Sequence, residues 1–251
     1  MVEKWKNVCY NASGNPSFDW RNTMYKDSAP LQAKREQLLQ AGVLMMDPAA
    51  VYVEEEVTVG AGTLLLPGTI LRGRTVIGEN CQIGPQVMLT DCTVGQGCTI
   101  NASQCEESTI EKNCQIGPYT HIRPHCVVGE GSHIGAFVQL KNSVLGKGTK
   151  MAHLTYVGDS DVGDECNFGC GTITCNYDGF QKHRTTIGSH VFVGCNTNLV
   201  PPVQVGDGAF IAAATTVTRD VPPDALAVGR QRQQVKEGWA AENRRLKGRK
   251  A

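Results

Sequence analysis

The chain has 251 residues with 24 basic and 24 acidic side chains, so its formal net charge is zero and no whole-molecule field draws it to nucleic acid or an anionic membrane. No apolar run approaches the ~20 residues of a membrane span, and the opening Met1-Val-Glu-Lys-Trp-Lys6 lacks the apolar core of a secretory signal. These features predict a cytoplasmic protein.

Residues 1–27 mix Trp5, Asn11, Gly14, Pro16, Trp20 and Tyr25 without a period and read as an irregular arm. Residues 28–48 read as a short helix and linker. Ser28 is the candidate N-cap, Pro30 suits the first turn, Leu31 to Gln40 form the body, and Gly42 suits a left-handed cap before Asp47-Pro48 breaks the helix. From 49 to 228 an aliphatic residue returns every sixth position, as in Val59, Leu65, Leu71, Ile77, Ile83 and Leu89, then Ile110 to Leu140, and again Ile187 to Val217. Neither a helical nor an alternating period fits that beat. It predicts an all-β domain, a β-helix of hexapeptide repeats in which three strands make a coil of about 18 residues, with about ten coils in a triangular prism.

Glycine often follows the aliphatic residue, as at Gly60, Gly78, Gly84 and Gly117, which suits a backbone that turns where a side chain would collide. The beat slips between Leu89 and Val94, Ile100 and Ile110, Leu140 and Leu145, and Val157 and Val162. After Thr174 it breaks outright, so Cys175 to Arg184 is predicted to project as a loop, the kind of segment that carries binding groups on a rigid scaffold. Residues 229–251 form a basic tail containing Trp239, readable as a solvated helix or as an arm packed on a neighbouring subunit.

Eleven cysteines without a CxxC pair give no disulfide or zinc framework. Cys81, Cys98, Cys114, Cys126 and Cys166 each lie four residues after a repeat aliphatic, where Thr63, Thr69, Thr75 or Thr149 stand in other coils. They are read as reduced, inward-facing packing residues.

Six histidines make chance placement easy, and a lone strand histidine is commonly structural. His153, however, sits between two slips of the beat, and Arg123 and Lys141 follow repeat aliphatics in successive coils. Cations at one phase of adjacent coils either bind a phosphate by charge-assisted hydrogen bonds or simply decorate a solvated face.

The stretches His153-Leu-Thr-Tyr-Val-Gly-Asp159, Asn167-Phe-Gly-Cys-Gly-Thr-Ile-Thr-Cys-Asn-Tyr-Asp-Gly179, Leu199-Val-Pro-Pro-Val203 and Lys236-Glu-Gly-Trp239 closely resemble the acetyltransferase half of bacterial bifunctional N-acetylglucosamine-1-phosphate uridyltransferase/glucosamine-1-phosphate N-acetyltransferase, over about residues 31–239. The resemblance implies a left-handed β-helix and a homotrimer with active sites between subunits. It also implies acetyl-CoA as co-substrate, no metal for the transfer, and a product feeding UDP-N-acetylglucosamine and cell-wall synthesis. It makes His153 the general base, gives Arg123 and Lys141 the sugar phosphate, and gives Tyr156 and Asn167 the sugar. The positions matching acetyl-CoA contacts are Cys170, Asn176, Tyr177, Lys182, Cys195, Ala213 and Arg230. Amides around Gly169-Cys170-Gly171 are candidates for stabilising the tetrahedral oxyanion.

This sequence departs from the family pattern at Gln139, where a carboxylate is usual, and at Cys170 and Cys195, which replace Ala and Ser. Residues 1–30 also lack the Gly-rich loop and the length of a nucleotidyltransferase domain, which predicts that a separate polypeptide supplies that step or that the chain is a fragment. A second reading follows: a catalytically weakened trimeric scaffold that partners a nucleotidyltransferase. A zinc hydratase on the same kind of fold fits poorly, because His121 and His125 have no third histidine one or two coils upstream.

Overall fold

A computed structural model describes residues 29–247; the arm at 1–27, the N-cap candidate Ser28 and the last four residues of the tail lie outside the described residues. Among the described residues, strands of two to four residues stack into three parallel sheets of eleven, ten and nine strands. These are the faces of a left-handed parallel β-helix of about ten coils. The first face begins at Leu44–Met45, the second at Tyr52–Val53 and the third at Thr58–Val59, and the chain visits them in that order in every coil.

Register explains the hexapeptide beat. On the first face Leu65, Ile83, Ile100, Ile116 and Ile134 pair in sequence with one another, and all are buried. Like side chains thus stack along the axis at ~4.8 Å intervals, and burial of each aliphatic stabilises the fold by roughly 1.5–3 kcal/mol. The slips are coils that close early. Ile100 pairs with Ile116, sixteen residues on, and Cys105 fills the inner position between Leu89 and Ile122 on the second face, which is why the aliphatic beat vanished there. Phe168 pairs with Val193, twenty-five residues on; that coil carries the projecting loop.

Among the glycines after the aliphatics, Gly84 and Gly117 have left-handed backbone, with φ of 108° and 100°, as the turning account expects, whereas Gly60 and Gly78 need a different one. Gly60 and Gly78 do not have left-handed backbone; a Cβ at either would stand 2.6 Å from a backbone nitrogen of the next coil, that of Glu79 and Gln96 respectively. At these two positions inter-coil crowding, and not turning, excludes a side chain. Further left-handed corners are filled by Asn80, Asp91, Asn113 and Asn142 together with Gly62 and Gly97, in line with the tolerance of Asn and Asp for that conformation.

The buried cysteines stand in the corner columns, as the spacing predicted, and they do more than fill space. Thr63 Oγ1 donates to the Gly78 carbonyl at 2.8 Å and Thr149 Oγ1 to the Gly163 carbonyl at 3.1 Å. Cys81, Cys98, Cys114 and Cys166 make the same bond with Sγ, to Gly95, Glu111, Gly129 and Gly188, at 3.2, 2.9, 3.2 and 3.0 Å. A thiol substitutes for a hydroxyl as the donor that ties one coil to the next.

Helix α1 (Ala29–Gln40) covers the start of the prism with Leu31 and Leu38 buried. Its Arg35 donates to the Pro48 carbonyl at 2.8 Å. Gly42, with φ of 88°, ends it as expected: the Gly42 amide bonds to the Leu39 carbonyl and the Val43 amide to that of Leu38, a Schellman closure. In the tail, helix α2 (Trp239–Leu246) buries none of its residues. No helix among the described residues is long and apolar enough to cross a membrane.

Gly78→Ala should destabilise the protein by about 1–3 kcal/mol, the usual cost of overpacking, because the added methyl meets backbone on the next coil. Urea unfolding followed by circular dichroism measures it; an unchanged midpoint would contradict the crowding argument.

Candidate functional site

Pairing of Met151 with Phe168, Phe168 with Val193, and Val193 with Ile211 fixes the residues two positions further on. His153, Cys170, Cys195 and Ala213 therefore occupy one column along the edge where the first face turns into the second. With ~4.8 Å per coil the column runs ~14 Å from His153 to Ala213. His153, Cys195 and Ala213 are exposed and Cys170 is half-buried. The same register carries the column to Gly229 through the pairing of Ile211 with Ala227, and exposed Arg230 follows at its end. Four residues scattered over sixty positions thus make a continuous surface stripe.

The second face brings together a different group. Arg123 and Lys141 follow Ile122 and Leu140, which pair directly, so the two cations sit one above the other. Tyr156 pairs with Gln139 in the next coil, and a Cβ on Gly158 would lie 2.4 Å from the Tyr156 hydroxyl and 2.8 Å from Asn176 Nδ2. Lys141 Nζ stands 3.5 Å from Asp159 Oδ2, and Asn176 Nδ2 donates to the same oxygen. Lys182 adjoins Lys141, and its side-chain contact with that ammonium, then the like charge, lower Lys182 below its ordinary range.

Asn176 is buried in this cation cluster and does not lie on the stripe. Asn167 lies on the first face, between Lys150 and Phe192 in register, across the edge from Tyr156. The amides of Gly169 and Gly171 donate to the carbonyls of Val193 and Leu154 at 2.7 and 2.9 Å. Stacking of the coils therefore consumes two amides that the sequence reading offered to an oxyanion. Gln139 approaches His121 at 3.4 Å.

Residues 175–184 form a hairpin-like loop closed by an antiparallel bridge between Tyr177 and Lys182. Asp178 is its staple. One carboxylate oxygen accepts the Phe180 and Gln181 amides, both at 2.8 Å, and the other meets His183 Nε2 at 2.7 Å. Arg184 anchors the return strand through Asp161. The loop reaches the site already shaped.

The family description "Bacterial transferase hexapeptide (six repeats)" matches residues 56–91, 74–103, 107–142 and 184–219. The chain belongs to the hexapeptide-repeat transferases. It is 51% identical over 214 residues to "Bifunctional protein GlmU" of Caldanaerobacter subterraneus subsp. tengcongensis, covering 85% of this chain and 47% of that protein. Proteins of the same name from Thermoanaerobacter pseudethanolicus and Brevibacillus brevis are 50% and 47% identical, over 81% and 80% of this chain and 45% and 44% of their own length. The chain thus spans about half the length of the relatives it matches, in keeping with the acetyltransferase half that its motifs resemble.

Hydrogen bonds from Gln181, then His183 and Phe180, depress the Asp178 carboxyl from 3.8 to about 2. A depressed carboxylate contributes stability above its unfolded pKa and loses it as pH falls through the folded value. The loop should therefore stay closed as pH drops through 4 and open only toward about pH 2. An NMR titration of the Phe180 and Gln181 amides checks this; opening complete at pH 4 would contradict it.

Proposed function

We propose that this hexapeptide transferase moves an acetyl group from acetyl-CoA to the amine of glucosamine 1-phosphate, giving N-acetylglucosamine 1-phosphate and free CoA. The observation that carries the reading is the single column holding His153, Cys170, Cys195 and Ala213, together with the separate cluster of Arg123, Lys141 and Lys182 on the second face. The first suits an extended thioester carrier laid along the edge, and the second suits a phosphorylated acceptor.

His153 takes a proton from the attacking sugar amine, a role for which imidazole is the suited side chain near neutral pH. The amine nitrogen bonds to the thioester carbonyl carbon, the tetrahedral adduct collapses, and the CoA thiolate leaves and takes up a proton. Arg123 and Lys141 hold the phosphate by charge-assisted bonds, and Tyr156 and Asn167 orient the ring. Cys170, Cys195, Ala213 and Arg230 line the path of acetyl-CoA, with Tyr177 presented by the loop; Asn176, buried against Asp159, and Lys182, beside Lys141, belong to the phosphate side instead. Holding amine and thioester together supplies the orientational part of the acceleration.

The working form is a homotrimer in which the edge of one copy meets the loop of another. Exposed Tyr119, Phe137 and Leu154 support that assembly. They hold left-handed backbone, with φ of 59°, 59° and 44°, on the edge that carries His153, and the two aromatic rings stack at 5.3 Å. Bulky apolar side chains in that conformation cost free energy, and an exposed row of them beside a candidate site suits burial against another subunit.

Thiol release in the presence of acetyl-CoA and glucosamine 1-phosphate tests the reading. Turnover is expected, and its absence above background would remove the assignment in favour of the scaffold reading. His153→Ala should lower kcat by about 10²- to 10⁴-fold, the usual contribution of a general base, with the oligomeric state unchanged in gel filtration. Loss of assembly instead would mark His153 as structural.

A further inference from the structure

Asp159 belongs to none of the groups assigned above. It occupies the corner between the second and third faces, with φ of 50°. Acidic residues at other corners accept backbone amides of the coil below: Asp91 from Arg74 at 2.9 Å, Asp164 from Lys147 at 2.9 Å, and Asp207 from Ser189 at 2.7 Å. The two oxygens of Asp159 are occupied by side chains instead. Asn142 Nδ2 donates to Oδ1 at 2.6 Å, Asn176 Nδ2 donates to Oδ2, and Lys141 Nζ stands 3.5 Å from Oδ2. The carboxylate is nearly buried and Lys141 largely so, with side-chain exposures of 9% and 19%. Burial works to raise the Asp159 carboxyl, but the bonds from Asn142, Asn176 and Lys141 prevail and hold it below the usual carboxylate range.

We infer that Asp159 is a positioning residue for the acceptor's phosphate: it fixes the Lys141 ammonium and, through Asn176, the loop that brings Lys182 beside it. Two ammonium groups at close quarters repel, and without a counter-charge they diverge and lose a shared anion. With Arg123 one coil away, three cations and one carboxylate leave a net charge of two, matched to a phosphate monoester dianion. An ammonium carries three donors, so pairing Lys141 with one Asp159 oxygen at 3.5 Å leaves it capacity for phosphate oxygens. This inference rests on the proposed acetyl transfer.

The test compares wild type with Asp159→Asn, which keeps the shape and removes the charge. Titration calorimetry with glucosamine 1-phosphate should show affinity falling about tenfold or more, because a positioned charge partner is lost. In steady-state kinetics the KM for glucosamine 1-phosphate should rise by the same factor, while kcat and the KM for acetyl-CoA stay within about twofold. Unphosphorylated glucosamine, assayed alongside, should lose nothing further. An unchanged affinity, or an equal loss with both acceptors, would overturn the inference. Should Asp159→Asn fail to fold, Asn142→Ser removes one of the bonds orienting the carboxylate and should raise the same KM by about threefold; no change there counts against it. Wild type that binds the sugar phosphate but transfers no acetyl group would defeat the proposed reaction while leaving the calorimetric comparison intact.

Discussion

Parallel pairing of each coil with the next, like residue over like, is the constraint on which everything else in this protein depends. It places Leu65, Ile83, Ile100, Ile116 and Ile134 in one buried ladder. It also puts the backbone of one coil within 2.6 Å of where a Cβ of Gly60 or Gly78 would be, so size at those positions is set by a neighbour in the next coil and not by local conformation. The same repetition recruits Thr, Ser or Cys at the corners to donate to a carbonyl in the next coil, and it makes a thiol an ordinary structural residue here.

A scaffold of this kind converts sequence period into surface geometry. Residues one coil apart along the chain become neighbours along the axis, so His153, Cys170, Cys195 and Ala213 form a line although no two are close in sequence. Departures from the period become the local features. The coils shortened by a residue or two need only a tighter corner, whereas the long coil between Phe168 and Val193 puts out the loop stapled by Asp178. That loop delivers Asn176 and Lys182 to the cations on the second face, and its rigidity follows from bonds made within the loop itself.

The polar cluster around Asp159 shows how a structural position is turned to another use. Its corner is occupied by Asp91 and Asn142 in other coils, and the backbone there tolerates either residue. What differs is the company: Lys141 below, Asn176 from the loop, and Asn142 directly beneath in the stack. A carboxylate held by three side chains acts on the position of those side chains and not on the backbone.

The hexapeptide period determined the β-helix, the approximate number of coils, the inward positions of Cys81, Cys98, Cys114 and Cys166, and the place where a loop leaves the prism. These follow from a repeat in which every coil poses the same packing problem, so one coil's solution can be read from any other. The alignment of His153 with Cys170, Cys195 and Ala213, the burial of Asn176 against Asp159, the consumption of the Gly169 and Gly171 amides by coil stacking, and the crowding at Gly60 and Gly78 were decided by tertiary structure. Each depends on which residues the register sets against one another, and for the line from His153 to Ala213 on a coil of twenty-five residues at Phe168, a count that a period averaged over the chain does not contain. Contacts between coils are set by register, and register is fixed only when the whole stack has closed.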